Sequence, residues 1–213
     1  IVQKMYVVVI VQASSPPYRT ALSAPLVIPQ PIHNATVSST VGEHSVGPDG
    51  SANYNIPLNF STGRGSLSPR LSVGYNNMSS TGSLGRQWNL QGLPFIQRCP
   101  TDKRRGEAID PVDFDSNDKY CLNGMRLVVV SGSYGANGAE YRLENEQFTK
   151  IVSYGQSGTG PEKFKVWTKD GFIQEFGYSS NSRVRASGRS EYYVWALNKE
   201  SDRYNSYYTA DYS

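Results

Sequence analysis

A chain of 213 residues is long enough for one large β domain or two small ones. Its 20 glycines, 15 tyrosines and 12 prolines favour strands broken by frequent turns over helices of ordinary length. The formal charge is only +3 and the basic residues are scattered, so no stripe or patch points to a nucleic-acid partner.

Near the start, KMYVVVIVQASS places a basic residue before a short apolar run and then small residues. That is a weak export-signal outline, with Met5 as a candidate start. The same run reads equally as a strand, because Val and Ile dominate it. It is too short to span a bilayer. Pro16, Pro17, Pro25, Pro29 and Pro31 then make residues 13–31 an extended linker. Residues 1–35 are therefore assigned to a signal remnant and linker, and folded structure is expected from residue 36.

The clearest period follows. A Pro-Asp-Gly turn at Pro48–Gly50 opens a run in which Ala52, Tyr54, Ile56, Leu58 and Phe60 alternate with Ser51, Asn53, Asn55, Pro57 and Asn59. A period of two predicts a strand with one buried and one wet face. A Gly-Arg-Gly turn at Gly63–Gly65 ends it, and alternation resumes at Leu71, Val73 and Tyr75. Trp88, Trp167 and Trp195 each sit in a strand-like, apolar segment, which favours core or hairpin packing over a sugar-stacking platform.

Cys99 and Cys121 are the two cysteines, and they bound a charged, turn-rich loop. In an exported protein the pair reads as a disulfide; in a cytosolic one, as two free thiols. His33 and His44 are the two histidines, and neither lies near a C-x-x-C spacing, which disfavours a thiolate metal site. Within the loop, Asp110, Asp113, Asp115, Asn117 and Asp118 form an acidic cluster. Asp113, Asp115 and Asn117 alternate as calcium ligands can, but Asp118 and Gly124 stand where the EF-hand loop needs Gly and Glu. The plainer reading is a solvated turn beside Lys119 and Arg126. No nucleophile-elbow motif accompanies either histidine, and the Gly-rich SGSYGANGAE lacks the lysine of a phosphate loop. These residues offer no catalyst and no cofactor site.

From Gly42 to about Tyr178 the chain resembles the N-terminal domain of the SpvB-type family (Salmonella virulence plasmid B protein), which also opens insecticidal toxin-complex B subunits and some RHS-type YD-repeat proteins. Four segments carry the resemblance: GSANYNIPLNFSTGRGSLSPRLSVGYNN, GSLGRQWNLQGLPFIQRC, DKYCLNGMRL and KVWTKDGFIQEFG. Two positions depart from the family pattern. Arg86-Gln87 replaces a Gly before Trp88, and Asn123 stands where Asp is frequent. The tail YYVWALNKESDRYNSYYTADY is similar to the start of a YD-repeat region, without its Gly.

The resemblance implies an all-β fold of antiparallel hairpins, opening an RHS/YD-repeat-type β shell. Residues 36–180 would form the family domain and residues 190–213 the start of the YD-repeat-like part. Tyr54, Pro57, Pro69, Tyr75, Gly85, Trp88, Gly124, Arg126, Asp170 and Gly171 would serve turn geometry and packing. The implied role is a non-catalytic, secreted module (cytoplasmic before release) that helps form a shell around a C-terminal toxin. Its partners would be other subunits or domains of the toxin complex or RHS protein and the enclosed toxin segment. The competing expectation is a surface-binding module for glycan or protein, with Tyr192, Tyr193, Tyr204, Tyr207 and Tyr208 as its contact surface.

Overall fold

A computed structural model describes residues 7–10, 42–60, 67–82, 84–101, 103–145 and 147–212. The expected linker, its prolines, His33, Met5 and the Gly63–Gly65 turn lie outside the described residues. The chain divides into two compact units, one of Ile1–Ala13, Phe60–Arg70 and Gly92–Ser213, the other of Ser14–Asn59 and Leu71–Gln91. The strand β1 (Val7–Ile10) pairs antiparallel with the last strand of the first unit, so the strand reading holds at those four residues.

Among the described residues, the smaller unit forms a six-stranded antiparallel sheet. It contains β2 (Glu43–Val46), β3 (Ala52–Leu58), β4 (Leu71–Asn76), β5 (Thr81–Gly82), β6 (Gly85–Arg86) and β7 (Trp88–Gln91) in the order β2-β3-β4-β7-β6-β5. The Pro48–Gly50 turn closes the β2–β3 hairpin, with the Gly50 N–H donating to the Gly47 carbonyl at 2.9 Å. Pairing of Glu43–Val46 with Ala52–Asn55 ends before Pro57, so the missing N–H of that proline faces no β2 partner. Tyr54, Tyr75 and Trp88 are directly opposed across three strands, and the Tyr75 and Trp88 rings lie 5.2 Å apart. The expected buried face is milder than predicted: Tyr54, Ile56 and Leu58 are only half-buried, while Leu71 across from Leu58 is buried.

The larger unit is a barrel. Among the described residues, eight strands close it: β8 (Phe95–Cys99), β9 (Lys119–Leu122), β10 (Met125–Ser131), β11 (Glu140–Leu143), β12 (Lys150–Tyr154), β13 (Lys163–Trp167), β14 (Ile173–Phe176) and β16 (Tyr192–Ser201). Neighbours along the chain pair antiparallel from β8 to β14. The long β16 then pairs with β14 through Leu197–Ser201 and with β8 through Val194–Ala196. β15 (Arg183–Arg185) and β17 (Tyr207–Tyr212) flank β16 outside the ring. Closure leaves the ring with no open edge. β16 is the strand that completes the barrel. The all-β, antiparallel reading itself stands.

Period-two alternation puts Ile96, Tyr120, Leu122, Leu127, Tyr141, Ile151, Phe164, Val166, Phe176, Trp195 and Leu197 inside, all buried. Phe164 packs edge-on against Trp195 at 5.1 Å, and Tyr120 against both at 5.5 Å. An eight-stranded barrel is just wide enough for such side chains to fill it. At the β9–β10 turn, Asn123 and Gly124 have φ of 48° and 82°, the left-handed pair that a two-residue hairpin needs. Asn tolerates that region as Asp does, which accounts for the substitution there.

Candidate functional site

The chemistry gathers where β8 and β9 meet the loop between them. Arg98 is two residues from Ile96 on β8 and so points inward, where it is 1% exposed. Its Nη1 donates to Asp118 Oδ2 at 2.7 Å and to the Asp115 carbonyl at 3.2 Å. Its Nε donates to the Tyr192 carbonyl at 3.0 Å, and its Nη2 to Thr159 Oγ1 at 3.3 Å. The guanidinium also lies 5.7 Å over the Tyr120 ring. Gly160 leaves room for it: a Cβ there would stand 2.6 Å from Nη2. The charge is thus buried with its bonds made, the condition under which a buried ion can persist.

Asp118 is correspondingly no solvated turn residue; it is 3% exposed. Its Oδ2 also accepts the Phe114 N–H at 2.9 Å. Phe114 has φ of 70°, an outlier for a bulky side chain, and its carbonyl accepts the Thr159 hydroxyl at 2.7 Å. The loop is tied at its base, where a disulfide joins Cys99 to Cys121 with Cα atoms 6.0 Å apart. Register sets Cys121 opposite Gln97 and Cys99 opposite Lys119, so the bridge runs diagonally between adjacent strands.

The acids of the loop come together in part. Asp110, Asp113 and Asp115 bring carboxylate oxygens within 4.8 Å of one another. Burial, and next the Asp113 charge, push the Asp110 carboxyl above its ordinary value. Asn117 donates its backbone N–H to Asp115 at 2.8 Å, and its side chain bonds Asp110. The carboxylates are largely engaged with their own loop, since Asp113 and Asp115 also accept backbone N–H groups of Asp115 and Asp118. Such self-bonding is how Asp and Asn shape a turn.

An open cleft of about 410 Å³ borders the same loop, lined by Val112, Phe114, Arg185, Ala186, Arg189 and Tyr193. The Arg189 guanidinium lies 5.3 Å over the Phe114 ring. Arg185 donates to the Tyr192 hydroxyl at 2.9 Å. Of the tyrosines expected to form a contact surface, Tyr193 and Tyr204 are exposed, whereas Tyr192 and Tyr208 are buried. Alternation separates Tyr192 from Tyr193 on β16, because adjacent strand residues take opposite faces, whereas Tyr204 is exposed in the β16–β17 turn.

The remaining singled-out residues are dispersed. Arg126 is buried, paired to Glu107 at 3.1 Å and donating to the Pro100 carbonyl at 2.8 Å. Pro69 is buried and Gly85 has φ of 125°. Asp170 and Gly171 form the β13–β14 turn, where Gly171 has φ of 83°. His44 is exposed on β2, opposite Tyr54. At the first departure from the family pattern, Gln87 itself adopts φ of 66°, and its Oε1 accepts the Tyr75 hydroxyl at 3.1 Å. Sequence reading overlooked Arg98 and Phe114. Arg98 had a legible signal, an arginine in phase with core residues; Phe114 had none.

A closed, filled β barrel and a small antiparallel sheet are scaffold architectures shared by many functions. The sequence matches the family described as "Salmonella virulence plasmid 65kDa B protein" (SpvB) over residues 46–212, and the chain belongs to that family. No curated protein matches it. Solved structures share the fold. A crystal structure of TcdB2-TccC3 is 21% identical with a TM-score of 0.60, over 87% of this chain and 9% of that one. The N-terminal domain of effector protein SpvB from Salmonella typhimurium strain LT2 is 18% identical with a TM-score of 0.53, over 70% of this chain and 50% of that one. The chain thus spans half or less of the length of these relatives.

Proposed function

We propose that this chain is a non-catalytic wall module of a secreted toxin-complex or RHS-type protein. In this reading it helps form a β shell that houses a toxic C-terminal segment. The family match over residues 46–212 carries the proposal, and the fold shared with a TcdB2-TccC3 structure supports it. The filled barrel refines it. With Trp195, Phe164 and Tyr141 at 0% exposure, the interior has no room for a guest. An enclosed segment would therefore lie in a larger cavity, with this chain contributing outer surface and sheet edges. Its partners would be the other domains or subunits of that shell, and a residue 190–213 region continuing into YD repeats would link it to them. The disulfide suits an exported protein that meets oxidising surroundings. Among the described residues no helix is long and apolar enough to cross a membrane.

The test is protease protection in the full-length protein. With residues 46–212 present, the C-terminal segment should resist a protease that digests the same segment expressed alone. With them deleted, cleavage should appear in that segment while the rest stays folded by circular dichroism. Equal protection in both would refute the wall role.

A further inference from the structure

We propose that the cleft between the β8–β9 loop and the β15–β16 turn binds an acidic saccharide, a sugar ring carrying one carboxylate. The inference is independent of the shell reading and rests on side chains that reading does not use. Arg185 and Arg189 are exposed on the cleft. Arg185 is held in place by its bond to the Tyr192 hydroxyl and by stacking 4.9 Å from that ring. Arg189 stacks on Phe114. A planar guanidinium fork matches the two oxygens of a carboxylate.

The floor is apolar. The Phe114 and Tyr193 rings stand 6.1 Å apart and tilted by 58°, with Val112 beside them, and Tyr193 is 38% exposed. The exposed Tyr193 ring takes the C–H side of a sugar while the arginines take its acid, and the Phe114 ring, with Arg98 and Arg189 over it at 5.5 and 5.3 Å, holds Arg189 in place. Phe114 is the sharpest clue. Its left-handed φ strains a bulky residue where Asn or Gly would not be strained, and that conformation is fastened by Asp118 and Thr159. Backbone strain of this sort collects at ligand clamps. The volume falls at the low end of the range for small-ligand sites, enough for one or two sugar units.

Charge narrows the class. The loop that supplies Val112 and Phe114 also carries Asp110, Asp113 and Asp115, and Glu191 lies near Arg189. Two cations on a cleft bordered by an acidic loop, one of them beside Glu191, suit a single negative charge and oppose a polyphosphate. An extended acidic peptide is disfavoured by the backbone at the cleft. Ala186 already donates to the Glu191 carbonyl and accepts from Arg189, leaving no ladder for an added strand there.

The experiment is calorimetric titration of the purified chain with trigalacturonic acid and with 3′-sialyllactose. The methyl ester of the first, lactose and a tetraglutamate peptide serve as comparisons. At least one acidic saccharide should bind with Kd near or below about 1 mM, and its neutral counterpart at least about tenfold more weakly. Arg189→Gln and Tyr193→Ala, both surface changes, should each weaken binding about tenfold, while Tyr204→Ala leaves it unchanged. The proposal is overturned if neither acid binds or if the neutral sugar binds equally. It also falls if the cleft variants bind as the parent does, or if the peptide binds more tightly than the sugars.

Discussion

Two arginines of this chain form ion pairs of very different weight. Arg98 and Asp118 have side chains 0% and 1% exposed, whereas Arg105 and Glu144 are 34% and 39% exposed. Removing one partner of a buried pair strands a charge out of water, which costs about 3–5 kcal/mol. Exposed pairs contribute about 0–1 kcal/mol. Arg98→Ala is therefore expected to lower the urea midpoint steeply, and Arg105→Ala hardly at all. Arg98→Met combined with Asp118→Leu should recover much of the loss, because no charge is then left unpaired. A single variant as mild as Arg105→Ala would show that the Arg98 site admits water. The pair was half legible in the sequence. Arg98 lies in phase with Ile96, but Asp118 is embedded in a run of acids that reads as solvated, and alternation breaks down in a loop.

The hairpins were the most readable elements, because their turns are written in local chemistry. Pro48–Gly50, Asn123–Gly124 and Asp170–Gly171 all mark turns that the backbone makes. Ring closure was unreadable for the complementary reason: nothing near Val194 announces that its partner is Gln97. The same distance hid that β16 closes the barrel. The candidate cleft was less legible still, since it joins Phe114 to Arg185, Arg189 and Tyr193 across separate elements. The disulfide belongs to this scale, since it staples the two strands that bound the longest loop of the barrel. In the chain-entropy treatment, closing a loop with a sequence separation of 22 is worth about 3 kcal/mol. Chemical denaturation with and without reductant should show that difference. The Cys99→Ser, Cys121→Ser double variant should match the reduced protein and ignore the reductant. An unchanged midpoint on reduction would mean that the bridge closes nothing the fold has not already closed.

The molecule as a whole is built on buried phenols. Burial pushes Tyr120, Tyr134, Tyr141, Tyr208 and Tyr212 above the ordinary tyrosine value of 10.0, and pushes Tyr178 up to about 12. A raised pKa in the folded state means that the native protein holds protons which the unfolded chain gives up. Their contribution is complete below pH 10 and is lost as pH climbs toward the folded-state values. Each such tyrosine steepens the loss by up to about 1.4 kcal/mol per pH unit. Above pH 10, tyrosinate absorbance should therefore rise together with the collapse of the β-sheet signal in circular dichroism. Ionisation of these tyrosines well before that collapse would mean that water reaches their hydroxyls in the folded protein. Closure has a further consequence during synthesis. Ile96 finds its partner Trp195 only after all the strands between them have been made. At 5–20 residues per second, that is a wait of roughly 5–20 s for a ribosome. Through that interval the nascent chain carries a sheet with two open rims, β8 and the strand most recently made, either of which can capture a strand from a neighbouring chain. A premature stop in that stretch would leave an adhesive fragment, not a smaller barrel.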